Sequence, residues 1–317
     1  MDKIIRFFNN NNSFALFCHE NPDGDAIGAI CALKLALQKK GKDCYCFCES
    51  KIPYNLTYLE PILDSDESKI KECDALILVD CNNPHRTGKY EDYFAECNQK
   101  IAIIDHHQME EYPADCKYVD SASPSACDLV QDIIKEYGVE IDGNMAKFLY
   151  AGISSDTGCF VHPSTTAKSH SHTAELMTTG FDMANANFEL FKRKPKGFLK
   201  FLKYYICNTK SYIDDKLFIS VIDYKHYNKY KSFCEGCTYD FMQGIDGNEI
   251  CVRLTEKIVG EYNISFRSNK YINVSLIAKN FDGGGHIRAS GGFSKEKKSV
   301  IIKKLITYCK EALESSN

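Results

Sequence analysis

No stretch of this 317-residue chain comes near the roughly 18 consecutive apolar residues that a membrane-spanning helix needs. The apolar patch at the N-terminus is cut by Asn9–Asn12, so neither a spanning segment nor a cleaved signal peptide is expected. An excess of positive charge is lacking too: 39 Lys and Arg face 43 Asp and Glu, a formal net charge of −4. Affinity for long nucleic acids is largely phosphate neutralisation, so a long electropositive channel, and with it a grip on long duplex DNA, is not expected. A second Cys-x-x-Cys pair is also missing. Cys234-Glu235-Gly236-Cys237 stands alone, without zinc-ribbon spacing, and a structural zinc is not expected there.

What is present suffices for two cores. Hydrophobic residues make up 44% of the chain, and its length suggests about two domains. Sixteen cysteines would imply disulfides in a small secreted protein. Here they are scattered through a large chain, inside apolar patterns such as Cys44-Tyr45-Cys46-Phe47-Cys48. They read as reduced interior residues, and a cytoplasmic location follows as the expectation.

Short apolar runs alternate with helical patterns over the first half of the chain. Phe14–Cys18, Asp43–Cys48, Ala75–Val79 and Ile101–Ile104 read as strands, and Ala26–Lys40 as an amphipathic helix stopped by Gly41. Ser123-Pro124 suggests an N-cap followed by proline at the first helical position, opening a helix to about Tyr137, and Asn144–Ile153 reads as another. This order predicts an α/β fold with a parallel, helix-covered sheet. Residues 1–191 are expected as the first domain and 192–210 as a linker. Its basic run, Lys192-Arg193-Lys194-Pro195-Lys196, is either a solvated face or a set of phosphate contacts. Residues 211–317 are expected as a second, smaller α/β domain with a mixed sheet. There Leu217–Ile222, Ile250–Thr255, Tyr262–Arg267 and Ile272–Ile277 alternate like strands before a helix from about Lys297 to Leu313.

Acidic and histidine clusters stand where the early apolar runs end. His19, Asp23 and Asp25 follow Phe14–Cys18, Asp80 follows Ala75–Val79, Asp105-His106-His107 follows Ile101–Ile104, and Asp156 lies in Ile153–Gly158. An aspartate at a strand end is often only a cap or turn residue, and Asp25 could cap the helix it opens. Their joint placement argues for more, because open α/β sheets bind ligands beyond the carboxyl ends of their strands. Carboxylates with a few imidazoles suit manganese or magnesium better than a thiolate-preferring ion. Pro22 and Gly24 allow a sharp turn, so Asp23 and Asp25 can point at two different ions.

These residues resemble a known family. His19-Glu20-Asn21-Pro22-Asp23-Gly24-Asp25, Val79-Asp80, Asp105-His106-His107 and Ser155-Asp156-Thr157-Gly158 look like the four metal-binding motifs of the DHH phosphoesterases. Phe266-Arg267-Ser268, Asn273–Ala278 and Gly283-Gly284-Gly285-His286 are similar to the DHH-associated substrate domain. Length and domain order most resemble the nano-RNases, which also remove the 3′ phosphate of adenosine 3′,5′-bisphosphate. Asp282 departs from the pattern, since relatives often carry another glycine there. The resemblance implies two ions, manganese with magnesium as the other option. It places one on His19, Asp23 and Asp80 and the other on Asp25, Asp80, His106 and Asp156, with Asp80 bridging. His107 would contact the substrate phosphate, and Asp105 would orient the histidines. Arg267, Ser268, Gly283, Gly284, Gly285 and His286 would hold another part of the substrate; glycine amides can approach an anion closely, although a glycine run is more often only a turn.

The expected activity is hydrolysis of RNA of about two to five nucleotides to nucleoside 5′-monophosphates, and of adenosine 3′,5′-bisphosphate to AMP, in a cleft between the domains; a small, slightly acidic protein suits a short substrate. A cyclic-dinucleotide phosphodiesterase is the alternative, since it would use the same catalytic groups. A pyrophosphatase would replace the glycine-rich segment with a basic clamp, and a long-strand exonuclease would need an added oligonucleotide-binding domain. A nucleotide-binding protein without activity would have lost a ligand, and none is missing. Pairing into a homodimer is left open.

Overall fold

Alternate residues of the early strands are buried on opposite sides of one sheet, which is why these strands read as unbroken apolar runs. Phe14, Leu16, Ile77, Val79 and Ile104 enter one core, while Ala15, Phe17, Leu76, Leu78 and Ile103 enter another with Tyr90 and Phe94. The computed structural model describes residues 1–95, 97–108, 112–236 and 242–315. The side chains of Cys234 and Cys237 lie outside that description. The fourteen cysteines it does describe as thiols are all free. No helix among the described residues is long and apolar enough to cross a membrane.

The chain divides into two units, Met1–Arg193 and Lys194–Asn317. In the first, strands β1 (Ser13–Phe17), β2 (Asp43–Phe47), β3 (Ala75–Val79), β4 (Lys100–Asp105) and β5 (Cys116–Val119) form a wholly parallel sheet in the order β2-β1-β3-β4-β5. The order reverses between β1 and β3, and the crevice beyond their carboxyl ends is where such sheets bind ligands. The helices are α1 (Asp2–Asn10), α2 (Gly24–Lys39), α3 (Ser68–Glu72), α4 (Glu91–Ala95), α5 (Ala126–Glu136), α6 (Gly143–Asp156), α7 (Ala167–Met177) and α8 (Met183–Asn187). Helices α2 and α6 touch backbone to backbone: a Cβ on Gly28 would lie 2.4 Å from the Phe148 carbonyl oxygen, and one on Gly24 2.8 Å from that of Ala151. The cap of α5 is Ser125, whose side chain accepts from the Asp128 amide, rather than the expected Ser123. Helix α6 runs on to Asp156, so that carboxylate comes from a helix end and not a strand end.

The second unit holds α9 (Phe198–Cys207), β6 (Thr209–Tyr212), β7 (Leu217–Ile222), α10 (Tyr224–Gly236), β8 (Ile250–Ile258), β9 (Glu261–Ser268), α11 (Val274–Ala278), β10 (Gly284–Gly285), β11 (Ala289–Ser294) and α12 (Lys298–Glu314). Its mixed sheet has the order β10-β11-β9-β8-β7-β6, with β7 and β8 parallel and the other pairs antiparallel. Two expectations fail here. The segment 192–210 is not merely a linker: it carries α9, which buries Phe201 and Tyr205 against Ile222, Tyr227 and Cys251. Ile272–Ile277 is not a strand, because Asn273 caps α11 by accepting from the Ser275 amide, and Val274, Ile277 and Ala278 are buried at helical spacing.

Candidate metal centre

Asp23 does what its position after a strand suggests: its Oδ1 accepts from the amides of Asp25 and Ala26, capping α2. Asp25 does not cap that helix. Its carboxylate is fully buried and reaches the N-terminus of α5, accepting from the amides of Ala126 at 2.6 Å and Cys127 at 2.8 Å. Orphan amides at a helix N-terminus favour an anion, so α5 fixes this carboxylate in place. Asp80, directly after β3, adopts a left-handed φ of 58° with its amide on the Ile104 carbonyl. Aspartate tolerates that conformation better than most residues, and here it turns the side chain into the crevice.

The histidines are oriented by their backbone contacts. His19 Nδ1 lies 2.7 Å from the Glu20 carbonyl oxygen and His106 Nδ1 3.3 Å from that of Ser123, so each Nδ1–H donates and each Nε2 faces the crevice. His19 Nε2 is 3.3 Å from Asp80 Oδ2; His106 Nε2 is 3.3 Å from Asp80 Oδ1, 3.3 Å from Asp156 Oδ2 and 3.6 Å from Asp25 Oδ2. Asp80 Oδ1 and His106 Nε2 are buried without a hydrogen-bond partner. A carboxylate oxygen and an imidazole lone pair this close need a proton or a cation between them. The donors fall into groups whose ligand atoms lie within 4.8 Å of one another: His19, Asp23 and Asp80; Asp25, His106 and Asp156; and Asp80, Asp105, His106 and His107. Oxygen-rich sets with one or two imidazoles fit manganese or magnesium.

The electrostatics express the same crowding. Burial above all, then the Asp80 charge, pushes the Asp25 carboxyl up to about 8, and burial with the neighbouring carboxylates raises Asp156 well above the usual range. Burial works against charged imidazoles, but Asp80 outweighs it, and His19 and His106 are each raised to about 9. Burial also opposes ionisation of Asp80, yet His106 and His19 hold its carboxyl well below the ordinary range. Asp80 is thus the common anion of the site.

Asp105 belongs to the last of the three donor groups, and its Oδ2 is buried without a hydrogen-bond partner. Its Oδ1 accepts from the amides of His106 and His107 and lies 2.9 Å from His107 Nδ1, which it orients. The His107 side chain is partly exposed. Sequence reasoning missed the supporting groups: the α5 amides under Asp25, the Ser123 carbonyl behind His106, and the buried Asp128 of α5. Asp128 bonds to Ser125, Ser169 and His172. Ser125-x-x-Asp128 is a capping pattern that could have flagged the α5 terminus.

In the second unit, Arg267 Nη1 donates to the Phe266 carbonyl at 2.9 Å. Ser268 is buried and its hydroxyl is committed, donating to Glu249 Oε1 at 2.9 Å and accepting from Arg288 at 3.1 Å. It supports its neighbours and is not presented to a ligand. Glu249, which no sequence signal marked, also accepts from the amides of Lys270, Tyr271 and Ile272. Two of the three glycines have structural duties. A Cβ on Gly283 would lie 2.0 Å from the Gly291 carbonyl oxygen, and Gly285 has a φ of 132°, whereas Gly284 is open to solvent. Asp282, where a glycine was the family expectation, sits at a φ of 48°. His286 is exposed at the turn between β10 and β11.

Residues 13–153 match the DHH family, N-terminal domain. The chain is 26% identical over 317 residues to the bifunctional oligoribonuclease and PAP phosphatase NrnA of Bacillus subtilis, covering 98% of each chain. It is 26% identical to the probable bifunctional oligoribonuclease and PAP phosphatase NrnA of Streptococcus mutans, covering 87% of each. Among solved structures, an exopolyphosphatase-related protein from Bacteroides fragilis superposes with a TM-score of 0.87 at 23% identity, covering 99% of this chain and 95% of that one. The last likeness is one of fold.

Proposed function

This chain carries a DHH-family N-terminal domain, and on that premise we propose that it is a metal-dependent phosphoesterase acting on short nucleotides. Its substrates are RNA of about two to five nucleotides, cut to nucleoside 5′-monophosphates, and adenosine 3′,5′-bisphosphate, cut to AMP. The observation that carries the reading is the pair of donor groups meeting at Asp80, with the unpartnered Asp80 Oδ1 and His106 Nε2 between them. Similarity over most of the chain to proteins named for these two activities supports the substrate class.

His19, Asp23 and Asp80 would hold one divalent ion, and Asp25, Asp80, His106 and Asp156 the other. When bound, manganese or magnesium supplies an activated water and charge neutralisation at phosphorus. The chain's own groups do the rest. The α5 amides keep Asp25 fixed, so the site need not reorganise as charge develops. Asp105 holds His107 through Nδ1, and His107 Nε2 is left to donate to a phosphate oxygen or to hand a proton to the leaving oxygen. Arg267, Gly284 and His286 are the second unit's candidate nucleotide contacts. The setting we propose is the cytoplasm.

The test is manganese-dependent release of AMP from 5′-phosphorylated diadenylate, run beside adenosine 3′,5′-bisphosphate, pyrophosphate and cyclic di-AMP. Asp80→Ala is the control, expected to lower turnover by at least about a thousandfold. Activity confined to cyclic di-AMP or pyrophosphate would move the protein to another substrate class. Near-normal activity in Asp80→Ala would refute the role given to that residue.

A further inference from the structure

The donor groups of the metal centre are held by different parts of the fold. His19 and Asp23 sit on the loop between β1 and α2, His19 against the Glu20 carbonyl and Asp23 against the first amides of α2. Asp25 and His106 both lean on the start of α5. Asp25 accepts from the Ala126 and Cys127 amides, and His106 Nδ1 faces the Ser123 carbonyl, while the Ser123 hydroxyl donates to the Ser125 carbonyl at 3.0 Å. Whatever fixes the first turn of α5 therefore fixes two of the three members of the Asp25, His106 and Asp156 group.

That turn is fastened from behind by α7. Asp128, buried in α5, accepts from the hydroxyls of Ser125 and Ser169 at 3.1 Å each and from His172 Nδ1 at 2.7 Å. His172 Nε2 lies 3.1 Å from Asp132 Oδ1, and Lys168 donates to the other oxygen of Asp132. From its place on α7 the imidazole thus bridges two carboxylates that stand one turn apart on α5. Burial opposes charge on His172, yet Asp128 and Asp132 raise it to about 9, so both ring nitrogens donate. The charge has a purpose here, because Asp128 adds a further buried carboxylate near a centre already crowded with them, and its field reaches Asp156. A buried carboxylate without a countercharge is strongly destabilising, and an imidazolium hydrogen-bonded to it offsets that cost.

We propose that the Asp128–His172 pair is a latch that sets the metal affinity of the Asp25, His106 and Asp156 group and leaves that of the His19 and Asp23 group untouched. Asp128 and His172 are positioning residues: they act through the α5 amides and the Ser123 carbonyl and are not ligands themselves. The inference rests on the metal-centre part of the reading above and adds that its two ions can be lost independently. A merely structural pair would lower thermal stability without choosing between the ions.

The experiment is calorimetric manganese titration of the full chain. His172→Leu is introduced into His19→Ala, where the Asp25 group remains, and into Asp156→Ala, where the His19 group remains. The leucine change is expected to weaken binding about tenfold or more in the first background and less than about twofold in the second. Leu176→Ala, which removes a buried side chain of the same helix, is the control for lost packing. It should lower the melting temperature and leave both affinities unchanged. Equal weakening in the two backgrounds, weakening in neither, or the same selective loss in Leu176→Ala overturns the proposal. A background that loses both ions at once denies their independence and overturns it too. Should His172→Leu fail to fold, Asp128→Asn takes its place under the same criteria. A wild type that binds two ions but cleaves none of the substrates named above defeats the function reading alone, whereas a wild type that binds no manganese overturns both.

Discussion

Gly152 leaves the space that Asp25 fills. A Cβ there would lie 2.6 Å from Asp25 Oδ1 and 2.2 Å from Cys127 Sγ, and neither group can retreat, since Asp25 is fixed by the α5 amides and Cys127 lies beneath them. Gly152→Ala is therefore expected to weaken manganese binding at least about tenfold and to destabilise the fold by about 1–3 kcal/mol. Gly143→Ala, on the same helix, would bring a Cβ no nearer than 3.9 Å to the Thr179 carbonyl oxygen and serves as the control. Calorimetric metal titration and thermal melts of the two variants check this. The raised groups of the centre predict a pH effect as well. His19 and His106, raised to about 9, and Asp25, raised to about 8, hold protons more tightly folded than unfolded. Stability from such groups is complete below their unfolded values and is lost as pH rises through the folded ones. In EDTA the melting temperature should accordingly fall between about pH 7 and 9.5, and manganese should abolish most of that fall by replacing the protons. A chelated protein equally stable at both ends of the range would contradict the crowding seen around Asp80.

At the level of elements, Glu249 shows how one carboxylate can shape a loop. It ties β8 to the turn after β9 through three backbone amides and Ser268, and Ser268 in turn meets Arg288. Those contacts hold its carboxyl below the usual range against the effect of burial. Glu249→Gln, which turns an acceptor into a partial donor facing amides, should cost about 2–3 kcal/mol by denaturant titration and raise KM more than it lowers kcat. A pure kcat loss would mean that the loop serves the metal centre instead. None of this was legible in the sequence, where Glu249 is one acid among 43 Asp and Glu. The doubly buried strands β1, β3 and β4 were legible because burial on both faces writes a continuous apolar run. Helix α9 was hidden behind the charge and proline of Lys192–Lys196, although Phe201 and Tyr205 recur at helical spacing. Helix α11 spans only five residues, over which Val274, Leu276 and Ala278 alternate as readily as Val274, Ile277 and Ala278 repeat with helical period. The metal-capable side chains announced themselves by chemistry. Which of them meet was set by the close approach of α2 and α6, a matter of glycines that sequence reading left unexamined. Ser268 misled for the opposite reason: a hydroxyl beside an arginine looks like a ligand contact until its burial is known.

Across the whole molecule, charge limits what the chain can grip. The excess of carboxylates over cations is 43 against 39, and several carboxylates are gathered at the metal centre, where bound cations would offset them. The basic run Lys192–Lys196 is partly engaged: Arg193 bonds to Glu189 and Thr57 and stacks over Tyr54 at 4.2 Å. Such a protein neutralises few phosphates, so salt should weaken binding only mildly. With about two phosphates contacted on a single strand, raising the salt from 50 to 200 mM should increase KM for 5′-phosphorylated diadenylate by less than about tenfold. A long single-stranded RNA at equal nucleotide concentration should compete poorly. Steady-state kinetics across a salt series, with and without the long competitor, measures both effects. A loss approaching a hundredfold would require about five neutralised phosphates by the same relation, and would point to an extended track for longer strands in place of a grip on two phosphates.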